Sequence, residues 1–195
     1  MSEIIRPKTD LRGIGISCGG PLDSNAGVIM SPPNLPLWNN IKIVEYFEKE
    51  FHVKTAIQND ANACAIAEWK FGAGRGAENL VFLTFGTGFG AGLILNSKIY
   101  CGGCDMAGEI GHIRASDDGP VGYGKKGSYE GYCSGAGISK LGQAMAAEEL
   151  NRGHLPGILR RLGSMEAINA KNIADAANLG DEACIAIYRK SGERL

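Results

Sequence analysis

No apolar run in this chain approaches the roughly twenty residues that a membrane-spanning helix needs. The opening segment, Met1 to Lys8, lacks the apolar stretch of a secretory signal. Charge of one sign is also missing. The formal net charge is -1, and no basic cluster is longer than a pair, as at Arg160-Arg161. Such a chain has no field to draw nucleic acid or an anionic membrane, and neither is expected as a partner. A disulfide framework is absent too. The six cysteines (18, 64, 101, 104, 133 and 184) have no regular spacing and fall mostly among apolar neighbours, so reduced thiols and a cytoplasmic location are expected. Cys101-Gly-Gly-Cys104 is a C-x-x-C, but a four-cysteine zinc site needs a second such pair, and there is none. A glycine turn between small buried residues is the better reading. There are no internal repeats and no low-complexity tracts.

What is present is glycine. The 29 glycines in 195 residues imply tight turns or close approach of backbone to a ligand, because glycine is entropically costly elsewhere. The remaining balance, 44% hydrophobic and 21% charged, is that of an ordinary globular domain. The pattern predicts a strand over 11–17, a loop over 24–38 and a helix over 41–51 capped by Asn39 or Asn40. A short strand over 53–58 and an alanine-rich helix over 61–70 follow. A flexible junction over 71–79 separates an N-terminal lobe (1–76) from a second lobe (77–195). The second lobe opens with a meander of strands over 80–85, 90–95 and 98–101. Residues 102–135 read as loop with a turn of helix near 106–111. Helices are expected over 137–152, 170–178 and 182–192, with irregular chain over 154–165. This order is that of an α/β architecture in two lobes.

Three places carry residues suited to chemistry. In Gln58-Asn59-Asp60-Ala61-Asn62, a carboxylate at a strand-to-helix junction can act as a general base or merely cap the helix, and spacing alone favours the cap. In Thr84-Phe-Gly-Thr-Gly-Phe-Gly-Ala-Gly92, glycines at 86, 88, 90 and 92 can leave successive N–H groups facing one anion, or can simply form a packed glycine turn. The run is neither a Walker A loop nor a dinucleotide fingerprint, since it opens a strand rather than a helix. Finally, Glu109 and His112, followed by Glu130, offer two carboxylates and an imidazole suited to vicinal hydroxyls. Their spacing is poor for zinc.

Taken in order, GIGISCGGPLD, IQNDANACAIAEWKFGAGRG, LTFGTGFGAGLI, AGEIGHI and GSYEGYCSG resemble the ROK family of bacterial glucokinases, fructokinases, N-acetylhexosamine kinases and sugar-responsive repressors. The resemblance implies an actin- and hexokinase-like (ribonuclease H-like) two-lobe fold, here in part. It implies that Asp60 is the catalytic base and that Asn59, Glu109, His112 and Glu130 hold sugar hydroxyls, with Gly20 lining the pocket. Gly86, Thr87, Gly88 and Gly90 are implied to face the phosphates of ATP, which carry Mg²⁺. The implied partners are a sugar (glucose first, N-acetylmannosamine second) and a second copy of the complete protein, as a homodimer.

Two departures modify these expectations. Many family members hold structural zinc through the His of Gly-His and three cysteines in a C-x-C-G-x-x-G-C stretch. The matching positions here are Val121, Tyr123 and Ser128, so no zinc is expected. The family pattern also opens with a D-x-G-G-T turn and further strands, and closes with a glycine-rich segment near the adenosine. The expectation is therefore a central part of a longer kinase, with exposed sheet edges and weak ATP binding on its own. The alternatives are a regulator, whose class adds a winged helix-turn-helix that these residues do not include, and an inactive sugar-binding module.

Overall fold

The computed structural model describes residues 11–195; the first ten residues of the expected N-terminal lobe, with the segment read for a secretory signal, lie outside them. The chain divides into two compact units. The described residues up to Phe82 join Gly92–Gly108 in the first, and Leu83–Ala91 join Glu109–Leu195 in the second.

In the first unit β1 (Ile14–Cys18) runs parallel to β4 (Thr55–Asn59), with Ile14 opposite Thr55 and Cys18 opposite Asn59. The connection between them carries a small hairpin and a helix. The hairpin, β2 (Leu22–Asp23) and β3 (Val28–Ile29), lies partly where the sequence reads as loop. The Asp23 carboxylate makes its turn by accepting from the N–H groups of Asn25 and Ala26 at 3.0 and 2.8 Å, an Asx turn that brings Val28 and Ile29 back onto Leu22. Helix α1 (Ile43–Phe51) starts after Lys42 without a side-chain cap. Neither Asn39 nor Asn40 caps it. The Asn40 N–H instead donates to the Met30 carbonyl at 2.8 Å, with φ at 51°. Val44 and Phe47, one face of this helix, pack on a core of Leu22, Ile29, Ile43 and Ile57.

Helix α2 (Asp60–Phe71) follows β4 directly. The segment after it is built of turns, tied by the Trp69 indole donating to the Ala77 carbonyl (2.9 Å) and the Ala73 N–H donating to Glu68 Oε2 (2.9 Å). The meander then appears as expected: β5 (Leu80–Phe85), β6 (Phe89–Leu95) and β7 (Lys98–Ile99) lie side by side in that order. Gly92 of β6 crosses α2 so closely that a Cβ there would stand 2.5 Å from both the Ala61 carbonyl oxygen and the Ala65 Cβ. That contact accounts for the bare strand position and for the small residues on the helix.

The second unit is mainly helical. A 3-10 turn (Ile110–His112) precedes a hairpin, β8 (Val121–Gly122) and β9 (Lys125–Lys126), and the five-residue helix α3 (Tyr129–Cys133). The last three elements occupy chain expected to be loop. Helix α4 (Gly135–Asn151) begins two residues earlier than its periodicity indicates, because Ser134 caps it by accepting from the Gly137 N–H at 2.9 Å. Helix α5 (Gly157–Leu162) lies in the stretch read as irregular, and α6 (Ala170–Asn178) and α7 (Glu182–Gly192) stand where expected. Ile138, Leu141, Ile158, Ile168, Ile173 and Ile187 form the heart of the core, joined by Phe89 from β6.

The cysteines differ from expectation in burial. All six are free, but only Cys133 and Cys184 are buried, and Cys64 and Cys104 are exposed. The 101–104 turn forms, with φ at 76° for Gly102, yet it is not a buried one. No helix among the described residues is long and apolar enough to cross a membrane.

Candidate active site

In the first unit the expected residues gather at the head of α2. The helix is capped by Asn59, not Asp60: Asn59 Oδ1 accepts from the N–H groups of Ala61 (3.0 Å) and Asn62 (3.2 Å). Asp60 is the first helical residue. Its Oδ1 also accepts from the Ala61 N–H, at 2.9 Å, while the residue as a whole is exposed at the carboxyl end of β4. An acid in the first turn suits the positive end of the helix dipole, and the capping duty next door leaves the second carboxylate oxygen for other work. A Cβ on Gly20 would come 3.9 Å from Asn59 Nδ2, so Gly20 lies against the one end of the Asn59 amide that the cap does not use.

Beneath this junction lies a polar network that the sequence reading did not assign. Gln58 Oε1 accepts from the Asn59 N–H at 2.8 Å and from Asn62 Nδ2 at 3.2 Å. Gln58 Nε2 and Asn62 Nδ2 both approach Cys101 Sγ, at 3.5 and 3.7 Å. Asn62 is 1% exposed, and its Oδ1 has no hydrogen-bond partner among the described residues. Such a network holds the backbone of the Asn59-Asp60 pair from below. Cys18 faces the same spot from β1; burial first, and then the Asp60 carboxylate, push its thiol pKa above the ordinary value. It stays a neutral thiol beside the carboxylate rather than a nucleophile. Only the strand pairing reveals it, since Cys18 is opposite Asn59.

In the second unit the glycine loop joins β5 to β6. The Gly86 N–H is tied to the Gly88 carbonyl at 3.1 Å, so the N–H groups of Thr87 and Gly88 are the donors that the loop can offer a phosphate. Gly86 and Thr87 are exposed, and a Cβ on Gly86 would meet nothing within 4 Å. The tip of the loop is therefore open to solvent. Gly88 has a different reason to be glycine: a Cβ there would stand 2.9 Å from Glu130 Oε2. Glu130, from α3, also accepts from the Phe89 N–H at 3.3 Å through that oxygen. One of its oxygens thus braces the start of β6.

Glu109 and His112 meet across the 3-10 turn, with His112 Nε2 at 3.3 Å from Glu109 Oε2. Gly111 between them is buried, and a Cβ there would collide with the Phe89 carbonyl and come 3.3 Å from the Glu130 Cβ. That glycine is why the pair, the loop and α3 can approach one another in this unit. The residues expected for sugar and phosphate are thus found in two sets: Gly20, Asn59 and Asp60 in the first unit, and Gly86 to Gly90, Glu109, His112 and Glu130 in the second.

The zinc of the resembled pattern does not fit the residues present. Val121 has no donor, Tyr123 turns its ring onto His112, and the Ser128 hydroxyl is spent twice. It donates to the Gly122 carbonyl at 3.0 Å and accepts from the Gly131 N–H at 3.1 Å as the cap of α3. Among the described residues no group of three or more His, Cys, Asp or Glu could hold a metal ion.

Comparison with known proteins agrees with these motifs. The ROK family model matches residues 3–195. The glucokinase of Thermotoga maritima is 32% identical over 175 residues, which cover 89% of this chain and 54% of that protein. The xylose repressor of Bacillus spizizenii is 34% identical over 131 residues, covering 67% of this chain and 34% of the repressor. Among solved structures, a ROK family glucokinase from Streptomyces griseus in complex with glucose and AMPPNP superposes with a TM-score of 0.75 at 30% identity, covering 96% of this chain and 60% of that one. The chain thus spans about half the length of the curated glucokinases it matches. Its architecture is the mixed α/β, actin- and hexokinase-like fold, covered in part. By its matched length and its motifs, the chain belongs to the ROK family.

Proposed function

We propose that this chain carries the sugar- and phosphate-facing residues of an ATP-dependent kinase acting on a hexose or N-acetylhexosamine. The observation that carries this reading is Asp60: an exposed carboxylate at the end of a parallel strand, with the helix cap supplied by Asn59. In the proposed reaction Asp60 accepts the proton of a sugar hydroxyl as that oxygen bonds to the terminal phosphorus of ATP. The bond from that phosphorus to the bridging oxygen breaks, and ADP leaves. Phosphoryl transfer asks the protein for positioning and charge stabilisation more than covalent chemistry. Asn59 Nδ2 in the first unit, and Glu109, His112 and the free oxygen of Glu130 in the second, each offer donors or acceptors that suit sugar hydroxyls. The N–H groups of Thr87 and Gly88 supply donors for phosphate. Mg²⁺, when bound, would neutralise phosphate charge; it is commonly carried on phosphates and water with few protein ligands.

A second reading, a sugar-responsive repressor, is favoured by the match to the xylose repressor. An ATP-dependent phosphorylation assay on glucose and N-acetylmannosamine separates the two, run on this chain and on any longer protein that contains it. Sugar-dependent ADP release is expected from the longer protein, and little or none from this chain by itself. Absence of turnover together with sugar-sensitive DNA binding would replace the kinase with the repressor.

A further inference from the structure

Tyr123 is a large apolar ring, 63% exposed, at a place where burial does not explain it. It occupies the first position of the turn between β8 and β9. The pairing of Gly122 with Lys125 leaves Tyr123 and Gly124 as the two turn residues, with φ of 47° and 70°. Positive φ at both positions marks a type I′ hairpin, where Asn, Asp and Gly are the usual first residues. A tyrosine there is held against its backbone preference.

Among the described residues the ring makes one ring contact. It lies over the His112 imidazole with centroids 3.5 Å apart and planes 9° from parallel. The same hairpin holds the other end of His112, because Lys125 Nζ donates to the His112 carbonyl at 2.8 Å. The hairpin itself has firm anchors. Lys140 Nζ of α4 donates to the Val121 carbonyl at 2.9 Å, the Ser128 hydroxyl holds the Gly122 carbonyl, and the Gly127 carbonyl accepts from the N–H groups of Ala115 (2.8 Å) and Ser116 (3.1 Å).

An imidazole on its Cβ–Cγ bond is free to turn until something fixes its plane. The Tyr123 ring fixes the plane, and Glu109 Oε2, at 3.3 Å from Nε2, fixes the edge. Together they determine where both ring nitrogens point. We propose that Tyr123 is a positioning residue for sugar recognition: its ring, carried by the β8–β9 hairpin, orients His112 without metal, in place of the structural zinc that these residues cannot bind. The proposal rests on the sugar-binding reading of the site. It implies that hairpin and stack are retained as a unit, so the ring matters and the hydroxyl does not.

The test uses the 195-residue chain, with NMR of the histidine ring protons and calorimetric titration with glucose and N-acetylmannosamine. His52 and His154 are internal references. Tyr123→Asn keeps turn chemistry and removes the ring; Tyr123→Phe and Tyr123→Trp keep a ring. In the unaltered chain the His112 ring protons are expected upfield of the other two histidines. Tyr123→Asn should move them downfield and weaken sugar binding about threefold to tenfold, while Tyr123→Phe and Tyr123→Trp restore both. Elemental analysis should find far less than one zinc per chain. Resonances that do not respond to Tyr123→Asn, or that respond while sugar affinity is unchanged, would overturn the proposal, as would stoichiometric zinc. Absence of any sugar binding by the unaltered chain, with the resonances responding, would refute the sugar-binding reading and the orienting role with it, yet leave the stack standing.

Discussion

In the proposed kinase, Asp60 and Asn59 divide two tasks that one residue could have held. A carboxylate at a strand-to-helix junction is ambiguous by spacing alone; here the cap falls to Asn59, whose Oδ1 accepts from two helix N–H groups. The two side chains should therefore fail differently. Asp60→Asn, in a chain long enough to turn over, should lower kcat by about a hundred- to ten-thousand-fold, the usual span for a general base, and leave sugar affinity and the thermal midpoint nearly unchanged. Asn59→Ala should cost about 1 kcal/mol of stability through loss of the cap, read from denaturant midpoints. A near-normal kcat in Asp60→Asn would reduce Asp60 to a first-turn acid. At this scale the sequence drew attention to the exposed side chains at the head of α2 and missed those beneath them. Gln58 and Asn62 are polar residues in an alanine-rich context, but their partner Cys101 lies 43 and 39 residues away, and only folding brings it near.

Elements were legible in proportion to their length. Helices α6 and α7 run over 9 and 11 residues, long enough for apolar residues to repeat at helical spacing. The hairpins β2–β3 and β8–β9 have strands of two residues, too short to show any alternation, and helices α3 and α5 have five and six residues. What could have revealed β8–β9 is the pair Tyr123-Gly124 between chain segments that can extend, but a tyrosine is not the usual first residue of such a turn. Glycines of the meander looked alike in sequence and are not alike in structure. Gly92 lies directly on α2, whereas Gly86 opens onto space. Gly92→Ala should therefore destabilise by about 1–3 kcal/mol through overpacking, while Gly86→Ala should leave the denaturation midpoint close to that of the parent. Equal midpoints for the two variants would mean that β6 does not press on α2 as described.

For the whole molecule, family and fold class were legible because five motifs occur in one order along nearly the whole chain. The balance of stability against pH was not. Burial, reinforced by the Asp181 side chain, raises the Cys184 thiol from 9.0 to about 11 against a smaller opposing pull from Arg161. Below pH 9 the thiol is neutral whether the chain is folded or not, and it favours neither state. Above 9 the unfolded chain ionises and the folded chain holds its proton until about 11, so stability falls across that interval. Cys184→Ala should flatten this alkaline decline relative to the parent in urea titrations between pH 8 and 11 (an interval set by that shift, ~9 to 11); an unchanged slope would show that the buried thiol is not its source. One further consequence belongs to synthesis. The chain leaves the first unit after Phe82, returns at Gly92 and leaves again after Gly108. Synthesis runs from the N-terminal side, so α2 is made before Gly92, and Ala61 and Ala65 then stand on a face still bare. The glycine strand that covers that face emerges later, so on the ribosome the head of the candidate site is assembled by chain that arrives after it.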